Sequence, residues 1–460
     1  MQRHHVILSA LLALAPSFSL SQPPANPNLW RYSCGPANRT FATLTPETLY
    51  TPTTAGFDLH TVPTVQQNSC TSTQPFFLSI PVPEGSYRVT VTLGGPIASV
   101  TTVRAEARRL MLEKVPTAPH KSVTRTFDTD VRIPDIYSTA DSQTSGKQVH
   151  LKPREIGNLD WDHKLTLEFN GANPSFRSVT IAPIKETTLY LAGDSTVVDQ
   201  DTEPWAAWGQ ILPRFFTPGI VIANHAESGE TIRSFTSEQR FAKIFSRMQP
   251  GDYLLMQFNH NDQKLDPQTH QPVVPIDTYK QLLTQYINLT RKLGATPILV
   301  TSMNRRTFDD SGHITNSLGA YPDAMREVAR NQHVTLIDLN AMSKTLFEAL
   351  GPEASTHAFM HYTANSLPNQ TEAISDDTHF NSYGAYELAR CIVHGIRTSD
   401  LPSANSSPPT SPISTPPTPT PSPPSPSHPP PSHRKKTPPK FPKLRGAPLC
   451  HVVCGPFRLL

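Results

Sequence analysis

Five short apolar runs alternate with amphipathic stretches in the second half of this chain. The apolar runs occupy residues 189–192, 221–223, 253–257, 297–300 and 335–338. Helical periodicity is found near residues 205–216, 238–248, 277–293, 318–331, 341–350 and 382–397. Short, wholly apolar strands separated by helices are typical of a parallel sheet covered on both faces. We therefore predict an α/β domain over residues 187–398, a three-layer arrangement with a five-stranded parallel sheet and catalytic loops at the strands' carboxyl ends.

The preceding residues, 26–185, have a different pattern. Residues 87–93 alternate apolar with polar and end at Gly94-Gly95, and residues 164–169 alternate likewise before Asn170-Gly171. Alternation bounded by turn residues indicates half-buried strands. Repeated short strands with few helical patterns between them predict a β-sandwich domain over residues 26–185.

The two ends of the chain do not resemble folded domains. Residues 1–21 combine a basic start, an apolar run at 6–15 and small residues at 19–21, which is the pattern of a secretory signal peptide. The alternative, a membrane anchor, would need about 20 apolar residues. We expect a secreted or periplasmic protein with no membrane association after cleavage. Residues 399–460 are rich in proline, serine and threonine, which predicts a disordered tail.

Charge and cysteine content limit the partners, disulfides and metal sites that this chain can have. The net charge is +3, without the concentrated basic face that a nucleic-acid partner would need. In an exported protein Cys34 and Cys70 are a plausible disulfide, Cys450 and Cys454 a weaker one, and Cys391 is expected to be buried and unpaired. No cysteine–histidine spacing suggests zinc, and we expect no metal and no cofactor.

Two polar segments contain the residues of a serine hydrolase. Ser195 lies in Gly-Asp-Ser-Thr directly after the first apolar strand, and His379 follows Asp376 by three residues on a predicted loop before the last helix. A serine hydroxyl needs a base to remove its proton, and histidine is suited to this when a carboxylate orients it. Asp377 is the rival carboxylate, but it reaches the histidine less naturally.

Two further segments contain donors for a developing oxyanion. Residues 226–230 follow the second predicted strand and residues 258–262 follow the third. The backbone N–H groups of Ser195 and Gly229 and the side-chain amide of Asn261 are suited to bind the negative charge that forms in acyl transfer. All four segments lie on one predicted face of the sheet.

Together these segments resemble the four conserved blocks of the SGNH/GDSL hydrolases. The resemblance spans residues 187–396 and is closest to the rhamnogalacturonan acetylesterases, on residues 203–209, 224–231 and 378–385. The upstream segment resembles the galactose-binding-like sandwich found in some bacterial members. The resemblance implies a flavodoxin-like fold, with Ser195 as nucleophile, His379 as base and Asp376 as its partner. It also implies an oxyanion hole formed by Ser195, Gly229 and Asn261.

One residue departs from the family pattern. Asn259 occupies a position where the family usually has glycine. If the backbone there requires a positive φ, asparagine is the least costly non-glycine residue. The orientation of Asn261, and with it the rate, would then depend on this substitution.

Several other polar residues near these segments are expected to be structural. Asp194 and Asp262 are expected to cap helices or hold loops. His225, His260 and His361 are expected to be buried with their hydrogen bonds satisfied or to lie on the surface.

Three functions are compatible with these residues. The first is hydrolysis of acetyl esters on rhamnogalacturonan, an acetylated plant cell-wall polysaccharide. The second keeps the same three catalytic side chains and changes the substrate to acetylated xylan, another glycan or a small ester. The third is a carbohydrate-binding protein whose catalytic half has decayed. Hydrolysis of a chromogenic acetyl ester distinguishes the third from the first two.

Overall fold

The computed structural model describes residues 29–35, 39–137, 147–368 and 370–399. The predicted signal peptide at 1–21 lies outside these residues, as do Cys450, Cys454 and the predicted tail after Ser399. In the described ranges, no helix is long and apolar enough to cross a membrane.

The first part of the chain is built from strands. They are β1 (Trp30–Ser33), β2 (Ala42–Thr43), β3 (Gly56–Asp58), β4 (Thr64–Gln66), β5 (Ser69–Thr71), β6 (Phe76–Pro81), β7 (Gly85–Leu93), β8 (Ser99–Ala105), β9 (Arg109–Thr117), β10 (Val123–Val131), β11 (Asp135–Ile136), β12 (Lys147–Gln148), β13 (Lys164–Ala172) and β14 (Ser175–Ile184). One sheet has the order β10-β7-β14-β1-β2, with β5 also paired to β14 and β4 paired to β5. The other has the order β3-β6-β13-β8-β9, and β11 and β12 form a separate ribbon.

These two sheets share one apolar core. Val89 on β7 and Leu167 on β13 come from different sheets and belong to the same buried cluster. Phe169 of β13 stacks on Phe176 of β14 with ring centroids 4.5 Å apart, again across the two sheets. Side chains that alternate along each strand thus meet between the sheets, and the predicted β-sandwich is confirmed.

The cysteines of the described residues behave as the sequence predicts. Cys34 follows β1 and Cys70 lies on β5, and the two form a buried disulfide with Cα atoms 5.5 Å apart. Cys391 is buried and unpaired.

The second part alternates strands with helices. Its strands are β15 (Thr187–Gly193), β16 (Trp205–Ala206), β17 (Ile220–Asn224), β18 (Tyr253–Gln257), β19 (Thr296–Val300), β20 (Thr335–Ile337), β21 (Phe359–Tyr362) and β22 (Ile374–Asn381). Its helices are α1 (Trp208–Ile211), α2 (Ile232–Ser237), α3 (Arg240–Arg247), α4 (Ile276–Lys292), α5 (Tyr321–Gln332), α6 (Leu339–Ala354, kinked at Gly351) and α7 (Ser382–Thr398), with 3-10 turns at Leu212–Phe215 and Ser355–Ala358. The parallel sheet has the order β17-β15-β18-β19-β20, so the predicted five strands are confirmed.

Alternating side chains of this parallel sheet face two different layers of helices. Leu189 and Leu191 of β15 pack in one cluster with α1, α6 and α7. Tyr190 and Ala192 pack in another with α2, α3, α4 and α5. Because successive side chains on a strand point to opposite faces, this division defines a three-layer α/β/α fold. The predicted fold class is confirmed.

Two local predictions were wrong, and the start of one predicted helix was misplaced. Trp205 and Ala206, predicted to begin a helix, form β16 and pair with Asn381 and Phe380 of β22. The predicted loop at 376–379 is part of β22, which pairs with β16 on one side and β21 on the other. Pairing between distant segments outweighs the local pattern in both cases. The helix predicted at 238–248 begins only at residue 240, because Gln239 has φ +65° and separates α3 from α2.

Buried ion pairs join the sandwich to the α/β part. Arg109 of β9 contacts Asp199 of the α/β part at 2.6 Å and Asp160 at 3.0 Å, and its side chain is 1% exposed. Equivalent cross-contacts are Arg104–Glu203 at 3.0 Å, Arg108–Glu203 at 2.7 Å, Glu155–Arg240 at 2.6 Å and Glu84–Lys243 at 2.7 Å. Charges removed from water in this way are tolerated only when paired and hydrogen-bonded.

Candidate active site

Ser195 lies on the turn that leaves β15 at the carboxyl edge of the parallel sheet. The turn is tight, since a Cβ on Gly193 would come within 2.6 Å of Val197 and 2.9 Å of the Gln257 carbonyl. Asp194 Oδ1 accepts hydrogen bonds from the N–H and the hydroxyl of Thr196, at 2.9 and 2.7 Å, and burial raises its pKa. Asp194 therefore holds the loop, as predicted.

His379 and Asp376 form a hydrogen-bonded chain with this serine. Ser195 Oγ lies 2.8 Å from Nε2 of His379, and Nδ1 of His379 lies 2.7 Å from Oδ2 of Asp376. The other oxygen of Asp376 accepts the N–H groups of Thr378 and His379 at 2.7 and 3.0 Å. The structure thus brings the three predicted side chains together.

Electrostatics at Asp376 define the tautomer of the histidine. Burial alone would raise the pKa of this carboxyl, but the hydrogen bond and charge of His379 and the two backbone N–H groups lower it to about 2. An ionised carboxylate only accepts hydrogen bonds, so Nδ1 of His379 carries the proton. In the neutral imidazole, Nε2 is then the acceptor that faces the Ser195 hydroxyl.

The rival carboxylate, Asp377, has other partners. Its Oδ1 lies 2.8 Å from Nε2 of His361 and 3.1 Å from Nη1 of Arg306. Asp377 is therefore engaged beside the site, and Asp376 is the carboxylate that contacts His379.

The second and third segments meet at the same edge. Gly229 has φ +79°, a conformation that favours glycine, and the N–H of Glu227 donates to the Gly193 carbonyl at 3.2 Å. Asn261 Nδ2 donates one hydrogen bond to the Glu230 carbonyl at 2.9 Å. A primary amide carries two N–H donors, so the second remains for a reacting oxygen.

The positive φ considered for Asn259 is not found. This buried residue is not among those with positive φ, so its backbone does not require glycine. The amide of Asn261, two residues on, donates a hydrogen bond to the Glu230 carbonyl. The departure from the family pattern leaves the amide in place.

Asp262, His225 and His260 are further polar residues of these loops, and all three are buried. Asp262 Oδ1 accepts the N–H of Ile232, the first residue of α2, at 2.9 Å, and burial with neighbouring carboxylates raises its pKa to about 8. His225 and His260 are buried, and burial together with nearby guanidinium groups keeps the pKa of each well below its usual value. Both imidazoles are therefore neutral at ordinary pH.

Sequence reasoning missed three cations around these loops. Arg305, shortly after β19, donates to the His260 carbonyl and to Thr378 Oγ1, both at 3.2 Å, and so ties the third segment to the strand of His379. Its position at the carboxyl end of a strand was a usable signal. Lys152 and Arg154 of the sandwich contact the loop of Gly229. They have no local signal, because over 70 residues separate them from that loop.

The site contains no evident metal centre. Among the described residues, no group of three or more histidine, cysteine, aspartate or glutamate side chains is placed to hold a metal ion. The chemistry available from the residues present is nucleophilic attack by an activated serine, with hydrogen-bond donors facing the same edge.

Comparison with known proteins agrees with this fold. The profile of the GDSL-like Lipase/Acylhydrolase family matches residues 191–385. Rhamnogalacturonan acetylesterase RhgT of Bacillus subtilis (strain 168) is 42% identical over 220 residues, which cover 47% of this chain and 93% of that protein. The probable rhamnogalacturonan acetylesterase YesY of the same organism is 36% identical over 220 residues, 47% of this chain and 96% of its own.

Among solved structures, protein YxiM from Bacillus subtilis is similar. It shares 21% identity, with 80% of this chain and 98% of that chain covered and a TM-score of 0.43.

The α/β fold and the sequence relatives together define the class of this protein, an α/β ester hydrolase with a serine at the carboxyl edge of its parallel sheet. The chain belongs to the GDSL-like lipase/acylhydrolase family and is a carboxylic ester hydrolase of the rhamnogalacturonan acetylesterase-like group.

Proposed function

We propose that this esterase removes acetyl groups from rhamnogalacturonan by a Ser-His-Asp mechanism. The observation that supports the mechanism best is the continuous chain from Ser195 Oγ to His379 Nε2 at 2.8 Å and from His379 Nδ1 to Asp376 at 2.7 Å. The substrate rests on the relatives. RhgT is a rhamnogalacturonan acetylesterase by name and YesY a probable one, and this chain covers over nine tenths of each.

The reaction has two halves. Ser195 Oγ attacks the acetyl carbonyl carbon while His379 Nε2 takes its proton, and the resulting oxyanion is bound by the N–H groups of Ser195 and Gly229 and by the Asn261 amide. The intermediate collapses when His379 returns the proton to the sugar oxygen, which leaves as a hydroxyl. Water then attacks the acetyl-serine, His379 takes a proton from it, and acetate leaves as Ser195 regains its hydroxyl.

Acetate release tests mechanism and substrate together. Acetylated rhamnogalacturonan and acetylated xylan are each incubated with the wild type, with Ser195→Ala, and with Ser237→Ala as a control at an exposed serine of α2. We expect acetate release from acetylated rhamnogalacturonan, and we expect this release to be lost only in Ser195→Ala. Release from xylan alone would contradict the substrate, and full activity in Ser195→Ala would contradict the mechanism. No release from either polymer or from a small acetyl ester would favour a carbohydrate-binding role.

We also propose that the protein is exported. The pattern of residues 1–21 supports this, as does the buried disulfide between Cys34 and Cys70, since such bonds persist in oxidising compartments. Mass spectrometry of the protein secreted by its host should find an N-terminus near Gln22. An intact Met1 on a protein confined to the cytoplasm, with both cysteines reduced, would contradict export.

A further inference from the structure

A segment of the sandwich lies directly on the loop that contains Gly229. Lys152 Nζ donates to the Ser228 carbonyl at 2.9 Å and also contacts Glu230. Arg154 donates to the same Ser228 carbonyl, and its Nε contacts Glu227 at 2.6 Å. Two cations from one part of the chain thus bind a single carbonyl in the other.

The bound carbonyl belongs to the peptide unit that provides the Gly229 N–H. A peptide bond is planar and trans, so its C=O and N–H point in opposite directions. Whatever fixes the Ser228 oxygen therefore fixes the direction of the Gly229 hydrogen. Hydrogen bonds to a carbonyl also polarise its peptide group, which strengthens the N–H as a donor.

The segment that provides these cations is itself held firmly. Glu155 accepts the N–H of Lys152 at 2.8 Å, the indole N–H of Trp161 at 3.0 Å and two guanidinium nitrogens of Arg240 at 3.0 and 2.6 Å. Glu155 and Arg240 are both buried, and Arg240 is the first residue of α3. The backbone that carries Lys152 and Arg154 is therefore held in place by the hydrogen bonds of Glu155.

The loop that contains Gly229 has two acidic side chains that pair with these cations. Glu227 and Glu230 are both buried, and each has one of the two cations as a partner. Gly229 itself is exposed, and the Arg154 guanidinium lies 3.9 Å from the point where a Cβ on Gly229 would be. The contacts thus lie on the Ser228 carbonyl and on the flanking carboxylates, at the end of the peptide unit opposite the Gly229 N–H.

We propose that Lys152 and Arg154 are positioning residues that orient the Gly229 N–H for oxyanion binding, so that the sandwich completes the active site. The inference rests on the proposed function, in which this N–H is an oxyanion donor. Neither side chain touches the reacting atoms. Their contribution should appear in the rate of the chemical step and not in the binding of a small substrate.

The test uses the full chain and 4-nitrophenyl acetate, an uncharged ester that offers no carboxylate to either cation. Loss of one oxyanion donor costs about 10²- to 10³-fold in kcat, and misplacing a group by about 1 Å costs up to about 10²-fold. For the Lys152→Met/Arg154→Met double variant we expect kcat to fall about 10- to 100-fold with KM unchanged. Arg154→Lys, alone, should retain more activity than Arg154→Met.

Control variants distinguish a failure of this proposal from a failure of the proposed Ser-His-Asp mechanism. Arg125→Met changes an exposed arginine of the same sandwich and should leave kcat and KM unchanged. Unchanged kcat in the double variant, with Ser195→Ala inactive, would overturn the positioning role and leave the mechanism standing. A rise in KM alone would also overturn it, whereas activity in Ser195→Ala would overturn the mechanism itself. Each variant is assayed well below its Tm, and the single Arg154→Met variant serves if the double variant does not fold.

Discussion

The Asp377 carboxylate contacts His361, whose Nε2 lies 2.8 Å from its Oδ1. The adjacent residue, Asp376, contacts His379 at 2.7 Å. Two neighbouring carboxylates on β22 therefore serve two different histidines, and only one of those histidines reaches Ser195. This separation provides a matched pair of variants on consecutive residues.

Replacing each of these carboxylates by its amide should have very different effects. Asp376→Asn places an amide against Nδ1 of His379 and favours the wrong tautomer, so kcat should fall on the order of 10²- to 10⁴-fold. Asp377→Asn should change kcat only a few-fold. Steady-state kinetics on 4-nitrophenyl acetate measure both. Equal losses in the two variants would show that the carboxylates are not divided in this way.

The two asparagines of the third segment should also differ. Asn261→Ala removes the proposed side-chain oxyanion donor and should lower kcat about 10²- to 10³-fold with little change in KM. Asn259→Gly restores the residue usual in the family, but Asn259 has no positive φ to relieve. We expect no increase in kcat for it. A large increase would mean that Asn259 does limit the orientation of Asn261.

Asp262 should make stability depend on pH. Its pKa is about 8 in the folded protein and about 4 in an unfolded chain, so between these values the folded state holds a proton that the unfolded state lacks. The free energy of unfolding therefore falls as pH rises, by up to about 1.4 kcal/mol per pH unit from this group. Asp262→Asn keeps the acceptor for Ile232 without titrating.

Thermal unfolding at several pH values tests this expectation. Between pH 5 and pH 8 the Tm of Asp262→Asn should rise relative to that of the wild type. The same pH dependence in both proteins would show that Asp262 is ionised throughout. Assays of Asp262→Asn against 4-nitrophenyl acetate provide the control that its active site is intact.

Arg109 should matter for stability far more than an exposed arginine does. Arg109→Met leaves the buried carboxylates of Asp199 and Asp160 with the more distant Arg132, at 3.9 and 3.3 Å, as the remaining cation within ion-pair distance in the described part of the chain. Asn224 and the Ala107 N–H still donate to them, but both donors are neutral. Breaking a buried pair by removing one partner costs about 3–5 kcal/mol. The Tm should fall by several degrees, whereas Arg125→Met should leave it nearly unchanged. Similar Tm values for both variants would contradict a stabilising role for the interface pairs.

The sequence predicted most of the parallel sheet because each of its strands is a short apolar run with its own flanking signals. β22 was missed because its central residues, Asp376, Asp377 and Thr378, are polar. Its partner β16 is paired through Trp205 and Asn381, which are far apart in sequence. Nothing local distinguishes such a strand from a loop.

In the candidate site, too, residues with local sequence signals could be predicted and residues defined by distant contacts could not. Ser195, Asp376 and His379 could be predicted because four short polar segments, each a weak signal alone, agree in their order and in their positions relative to the predicted strands. Lys152 and Arg154 could not, since exposed and half-exposed basic residues are common in any sandwich. Only the three-dimensional contact with Ser228 distinguishes them.

Ion pairs join the sandwich to the α/β part, and most apolar side chains of each part lie in a cluster of their own. Leu110 of β9 lies in an α/β cluster, and Ala242 of α3 packs against a small sandwich cluster that contains Trp161. During synthesis the sandwich can therefore bury its apolar side chains before the rest of the chain exists. Until the two parts meet, Arg109 and its neighbours remain hydrated. A sandwich that folds first would therefore present a face rich in charged side chains to the other nascent chains around it, and less apolar surface through which to aggregate.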